Sequence, residues 1–153
     1  MASNVSVLDI DRKQFIVVKI GSEQYGIDIG YVDNIVRMQK ITRVPKAQSY
    51  FPGIINLRGE IVPVMSVRTK MGLEPDEITD ASRIIILKIE QQGSFGIITD
   101  AVKEVVTLSE EEIDKVSGVR AGKDFFINGI GKHGDELISL FDINAIIEEK
   151  ENA

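Results

Sequence analysis

The run Gly129-Ile130-Gly131-Lys132-His133-Gly134 spells GxGxxG, a pattern that cradles a dinucleotide pyrophosphate when it follows a strand and opens a helix. That chemistry needs a helix N-terminus to receive the phosphates, and here Asp135 to Phe141 read as a strand instead. The run is therefore expected to be a hairpin turn, which sets aside a nucleotide-dependent enzyme. His133 is the only histidine, so a catalytic triad, an imidazole metal site or a phospho-acceptor would have to rest on it alone. In a polar turn it is expected to be an exposed residue. With no cysteine, the available nucleophiles are hydroxyls without a neighbouring base, and no carboxylate pair stands apart from the solvated acids. No catalytic residue, metal ligand or cofactor is expected.

A different chemistry is offered by Gly53-Ile54-Ile55-Asn56-Leu57-Arg58-Gly59, followed by Pro63. Arg58 presents a planar five-donor fork at a turn flanked by Ile54, Ile55 and Leu57, the side-chain types that anchor protein interfaces. The competing structural reading is that Asn56 and Gly59 shape a hairpin while Arg58 is solvated or salt-bridged.

The elements that must position this turn emerge from an internal repeat. Phe15-Ile16-Val17-Val18-Lys19-Ile20 lies over Ile84-Ile85-Ile86-Leu87-Lys88-Ile89, and each is followed by a polar turn and a second strand. Tyr25-Gly26-Ile27 then matches Phe95-Gly96-Ile97, and Val32 to Val36 matches Val102 to Val106, both 70 residues apart. The shared glycine is expected to relieve crowding or permit a bulge beside a large ring. After connectors of unequal length, Gly53-Ile54 matches Gly129-Ile130, and Glu60 to Val67 matches Glu136 to Ile143, now 76 apart. Two five-strand units result, roughly residues 13–78 and 82–150. In this register Arg58 falls on Gly134, so its side chain is peculiar to the first unit.

Short, regularly spaced strands with turns between them predict an all-β barrel or sandwich. Strands that are apolar almost throughout, such as Ile61 to Val67 apart from Pro63 and Ser66, are expected to meet protein on both faces, so the two units should share a packed interface. Ser109-Glu110-Glu111-Glu112 has a capping-box pattern that predicts one or two helical turns through Ile113 and Val116. Asp142 is expected to cap a C-terminal helix with Ile143, Ile146 and Ile147 on its apolar stripe.

Eighteen basic against 24 acidic residues give a formal charge of −6, with the cations scattered, which argues against nucleic acid as a partner. The aliphatic run Ile84 to Leu87 is far short of a spanning helix, so no direct membrane insertion is expected. Met1-Ala2-Ser3-Asn4 carries no targeting signal, which makes the cytoplasm the expected compartment.

The run Gly53 to Val64, with Ile41-Thr42-Arg43-Val44-Pro45 upstream and Gly96 to Val106 downstream, resembles the CheW family of chemotaxis coupling proteins across nearly the whole chain. The resemblance implies one CheW-like domain over residues 1–153, built as two intimately packed five-stranded SH3-like β-barrels with short helices, one of them C-terminal. It implies a non-enzymatic adaptor between the cytoplasmic tips of methyl-accepting chemotaxis receptors and the regulatory domain of the histidine kinase CheA, recruited to the membrane-associated receptor array. It places the receptor tip in a groove formed by Val32, Ile35, Leu57, Arg58, Gly59 and Val102, and the kinase near Val36, Met38 and Ile41. Asn34 departs from a pattern that is often acidic in relatives and that Glu104 keeps in the second unit. The alternatives within the family are an adaptor of another two-component signalling system, or one paired with the receiver-fused coupling protein CheV.

Overall fold

Aliphatic segments punctuated by short polar turns fold into eleven strands in the computed structural model, which describes residues 12–90, 92–116 and 125–148. The first half contributes β1 (Lys13–Ile20), β2 (Glu23–Asp28), a single 3-10 turn at Ile29–Tyr31, β3 (Val32–Arg37), β4 (Gly53–Leu57), β5 (Glu60–Met65) and a one-turn helix α1 (Val67–Lys70). The second half repeats the order with β6 (Arg83–Ile89), β7 (Gly93–Thr99), β8 (Ala101–Leu108), β9 (Ile113–Lys115), β10 (Ile127–His133), β11 (Glu136–Phe141) and α2 (Ile143–Ile147).

Neither sheet is built from one repeat alone. One has the order β8-β1-β2-β11-β10-β9 and the other β3-β6-β7-β5-β4. Each repeat therefore lends its first hairpin to the sheet of the other, crossing over at Ile29–Tyr31 in one direction and at Asp100 in the other. The lent hairpins are sewn in by two short parallel seams, Gly26 opposite Leu140 and Gly96 opposite Val64. This accounts for the repeated glycine: a β-carbon on Gly26 would lie 2.8 Å from Leu140 Cδ2, and one on Gly96 would lie 2.7 Å from Ile84 Cγ2. The crowding comes from branched aliphatic side chains, across the seam at Gly26 and chiefly from Ile84 of the same hairpin at Gly96, whereas the bulges lie elsewhere, at Asp33 in β3, Lys103 in β8 and Asn128 in β10.

Both sheets curl into small barrels by the same device. The chain leaving β8 returns as β9, where Asp114 pairs with Ile130 of β10. The chain leaving β3 returns with a single bridge, Thr42 to Ile54 of β4, with N–H to O distances of 2.8 and 2.9 Å. That is why one sheet has six strands and the other five. The bridge requires Gly53, whose missing β-carbon would sit 2.1 Å from the Thr42 carbonyl oxygen.

The apolar-throughout strands are explained by three clusters, one inside each barrel and a central one between them. Phe15 and Val17 of β1 point into their own barrel with Val106, Leu108, Ile138 and Leu140, whereas Ile16 and Val18 point at the partner barrel. Likewise Ile84 and Ile86 of β6 fill the second barrel, and Ile85 and Leu87 face the seam between barrels. The central cluster is closed by Tyr25 stacked on Phe141 at 4.6 Å and by Ile143, Ile146 and Ile147 of α2. Ile61 does not follow the expectation for its strand, being 57% exposed.

The capping box at Ser109 forms, with Glu112 Oε1 accepting from the Ser109 N–H at 2.8 Å, but it starts only a 3-10 turn at Glu110–Glu112. The expected helix through Val116 does not form, because Ile113 pairs with Gly131 as strand β9. At the C-terminal end the expectation holds: Asp142 Oδ1 accepts from Ala145 N–H at 3.2 Å and the stripe of α2 is buried. Lys70 of α1 donates to the Ile146 and Glu148 carbonyls, so the charge that closes α2 comes from the first repeat.

Candidate functional site

The hairpin joining β4 to β5 has two central residues, Arg58 and Gly59, between the paired Leu57 and Glu60. Both have positive φ, 53° and 84°, as a type I′ turn demands for strands of right-handed twist. Asn56 Oδ1 accepts from the Gly59 N–H at 2.9 Å and braces the turn. In the second repeat the equivalent hairpin joins His133 to Glu136, and there only the first central residue, Gly134, has positive φ, at 63°. So the GxGxxG run is β10 and its turn, as its lack of a following helix implied. The comparison also bears on Arg58. Its position is one where this fold otherwise uses glycine, and an L-residue there costs about 1 kcal/mol. The side chain is exposed, and among the described residues no ion pair includes it. The turn itself would be better served by glycine or asparagine, so a purely structural role gives no reason for arginine here.

The other candidate residues are divided by the fold. Val32 pairs with Leu87 and Ile35 with Ile85, partners two apart on β6, so both face the seam between the barrels. Val102 pairs with Val18 and faces the same seam from the other sheet. Val32 and Val102 are half-buried there and Ile35 is 37% exposed. Leu57 turns away from this seam and packs into the second barrel, on the cluster that also receives Val36, Met38 and Ile41. Arg58 and Gly59 stand exposed at the hairpin tip. Asn34 Oδ1 accepts from the Ile35 N–H at 2.9 Å, so its acceptor is engaged by the backbone of β3 itself.

Several features escaped the sequence reading. Ile61 and Leu137, equivalent in the two repeats, are 57% and 64% exposed beside the hairpin tips; the signal was the Glu-Ile and Glu-Leu pair after each turn. Asp100, at the crossover from β7 to β8, accepts from Gly21 N–H at 2.8 Å and receives the Arg68 guanidinium in a two-pronged ion pair. Burial pushes the Asp100 carboxyl up, but these donors outweigh it and leave it below its ordinary value, while Arg68 is held above its own by the hydrogen bond to Asp100. The stabilisation is thus full above the ordinary carboxylate pKa and is lost as pH falls through the lowered value of Asp100. Arg68→Ala is expected to cost about 1–2 kcal/mol near neutral pH, since the pair is only partly buried, and to flatten the acid limb of a stability-versus-pH series measured by urea unfolding. Asp76 acts in the opposite sense: burial holds its carboxyl above the ordinary range although the Ser66 hydroxyl donates to it.

No group of metal ligands occurs among the described residues, and no helix among them is long and apolar enough to cross a membrane. The described surface carries an apolar seam, an arginine at positive φ and exposed aliphatic side chains.

The family model described as CheW-like domain matches residues 14–151. The chemotaxis protein CheW of Bacillus subtilis is 35% identical over 139 residues, covering 90% of this chain and 88% of that one. The chemotaxis protein CheW of Helicobacter pylori is 31% identical, covering 89% and 82%. The crystal structure of the scaffolding protein TtCheW from Thermoanaerobacter tengcongensis superposes with a TM-score of 0.82 at 34% identity, over 91% of this chain and 96% of that one. With the family model spanning nearly the whole sequence and relatives above 30% identity along most of both lengths, the chain belongs to the CheW-like domain family.

Proposed function

We propose that this chain is a chemotaxis adaptor, a scaffold and not an enzyme, that holds the cytoplasmic tip of a methyl-accepting receptor and the regulatory domain of the histidine kinase CheA in one array at the membrane. The observation that carries the receptor half is Arg58, held at positive φ in a turn whose equivalent position in the second repeat is glycine. Val32, Ile35 and Val102 offer the seam that would receive apolar anchors of a helical tip, with Arg58 and Gly59 as the fixed polar edge. Leu57 supports that edge from inside the barrel. The kinase contact belongs on the side of Val36, Met38 and Ile41, where β3 is the outermost strand of its sheet. Signal transfer on this reading is geometric: both partners are kept in register by a body whose two barrels share strands and cannot move independently.

The test is capture of a purified receptor cytoplasmic fragment and of the CheA regulatory domain by the immobilised protein. Binding of both, separately and together, is the expected result; failure to hold either one sinks the adaptor assignment for that partner.

A further inference from the structure

The two repeats place opposite charges at one equivalent spot. In the second, Lys103 is the bulged residue of β8, and its ammonium donates to Glu136, the first residue of β11, at 2.9 and 3.1 Å and to Gln24 Oε1 at 2.9 Å. The Gln24 amide donates to Glu136 in turn, at 2.6 Å. In the first repeat the bulged residue of β3 is Asp33 and the first residue of β5 is Glu60. A carboxylate thus replaces the cation while the carboxylate opposite is kept. Both acids are exposed, and among the described residues no ion pair includes either of them, in contrast to Lys103–Glu136. Beside them Ile35 and Ile61 expose apolar surface, and Arg58 lies just across the turn from Glu60.

We propose that Asp33 and Glu60 receive a lysine or arginine side chain from the receptor helix tip, in the place that Lys103 occupies within the second repeat. The inference rests on the adaptor reading above and deepens it. In the register of the repeats Asp33 and Glu60 take the places of Lys103 and Glu136, so a cation brought by a partner would meet carboxylates where the second repeat has one of each sign. The second repeat shows that this frame accepts an ammonium with good geometry. With Arg58 on one side and two carboxylates on the other, the surface selects a helix that carries an acidic and a basic residue around apolar anchors. The second repeat cannot serve as a duplicate dock, because its own lysine fills the equivalent place.

Asp33→Lys tests this by giving Glu60 an internal ammonium. The variant is expected to fold with an unchanged or higher Tm, to bind a receptor cytoplasmic fragment roughly tenfold or more weakly, and to bind the CheA regulatory domain as wild type does. Asp33→Asn removes charge without filling the place, and its receptor binding is expected to depend less steeply on salt than that of wild type. Lys103→Asp is expected to leave receptor binding unchanged. A folded Asp33→Lys variant that binds the receptor fragment as tightly as wild type overturns the proposal, and if Arg58→Asn loses binding alongside it, the adaptor reading stands without it. Wild type that captures the kinase domain but no receptor fragment overturns both.

Discussion

Arg58→Asn is expected to leave the protein at least as stable as wild type while weakening receptor binding about thirtyfold, the loss that a hot-spot contact of about 2 kcal/mol implies. The stability half follows from the turn. Asn followed by Gly59 is the pairing best suited to two positive φ values, and asparagine tolerates the left-handed region that arginine occupies here at φ 53°. The substitution should therefore gain a few tenths of a kcal/mol or more. The binding half follows because the guanidinium has no ion pair among the described residues, so removing it disturbs nothing inside the protein. Thermal unfolding and a receptor-fragment titration on the same preparation give both numbers. In a reconstituted array the variant should lose receptor-dependent control of the kinase. A variant that is less stable than wild type refutes the strain argument, and one that keeps full control refutes the assignment of Arg58.

Much of this site was legible because the chain contains its own control. Arg58 stands out first as a fork of donors at a turn flanked by Ile54, Ile55 and Leu57, and the repeat sharpens it by setting Gly134 at the same place, where φ is also positive. Val32 and Ile35 were less transparent. Three residues apart in a regular strand they would point to opposite faces, and it is the bulge at Asp33 that restores them to one. A bulge leaves no alternation signal of its own, so only the family resemblance grouped them. The resemblance grouped Leu57 with them as well, whereas the period of β4 sends it into the barrel with Ile55.

The fold was legible up to the exchange of hairpins. Strands such as Phe15 to Val18 and Ile84 to Leu87 announced burial on both faces, but an apolar face is satisfied equally by its own repeat or by the other. Self-similarity identifies equivalent segments and is silent on which copy they pair with. The capping box at Ser109 shows the opposite limit, where a correct local signal was cut short by pairing of Ile113 with Gly131, a contact set by the closing of a barrel.

The exchange makes a strong prediction about stability, through Gly96→Val. The added side chain would begin 2.7 Å from Ile84 Cγ2 and 3.4 Å from Val64 Cγ2, both on fully buried residues of packed strands with no room to retreat. Overpacking of this kind costs about 3 kcal/mol. Because β6 and β7 come from the second repeat while β3, β4 and β5 come from the first, opening the seam at Gly96 strips the lent hairpin from one sheet and loosens the central cluster that both sheets share. The loss should therefore be global. Hydrogen exchange under mild denaturant should show amides of β4 in one sheet and β10 in the other losing protection together and by the same free energy. Were each repeat an independent barrel, Gly96→Val would lower protection in one sheet and spare the other. Equal loss in both is the signature that the repeats hold each other's hairpins, and it is the property an adaptor needs if a load on one barrel is to be felt by the other.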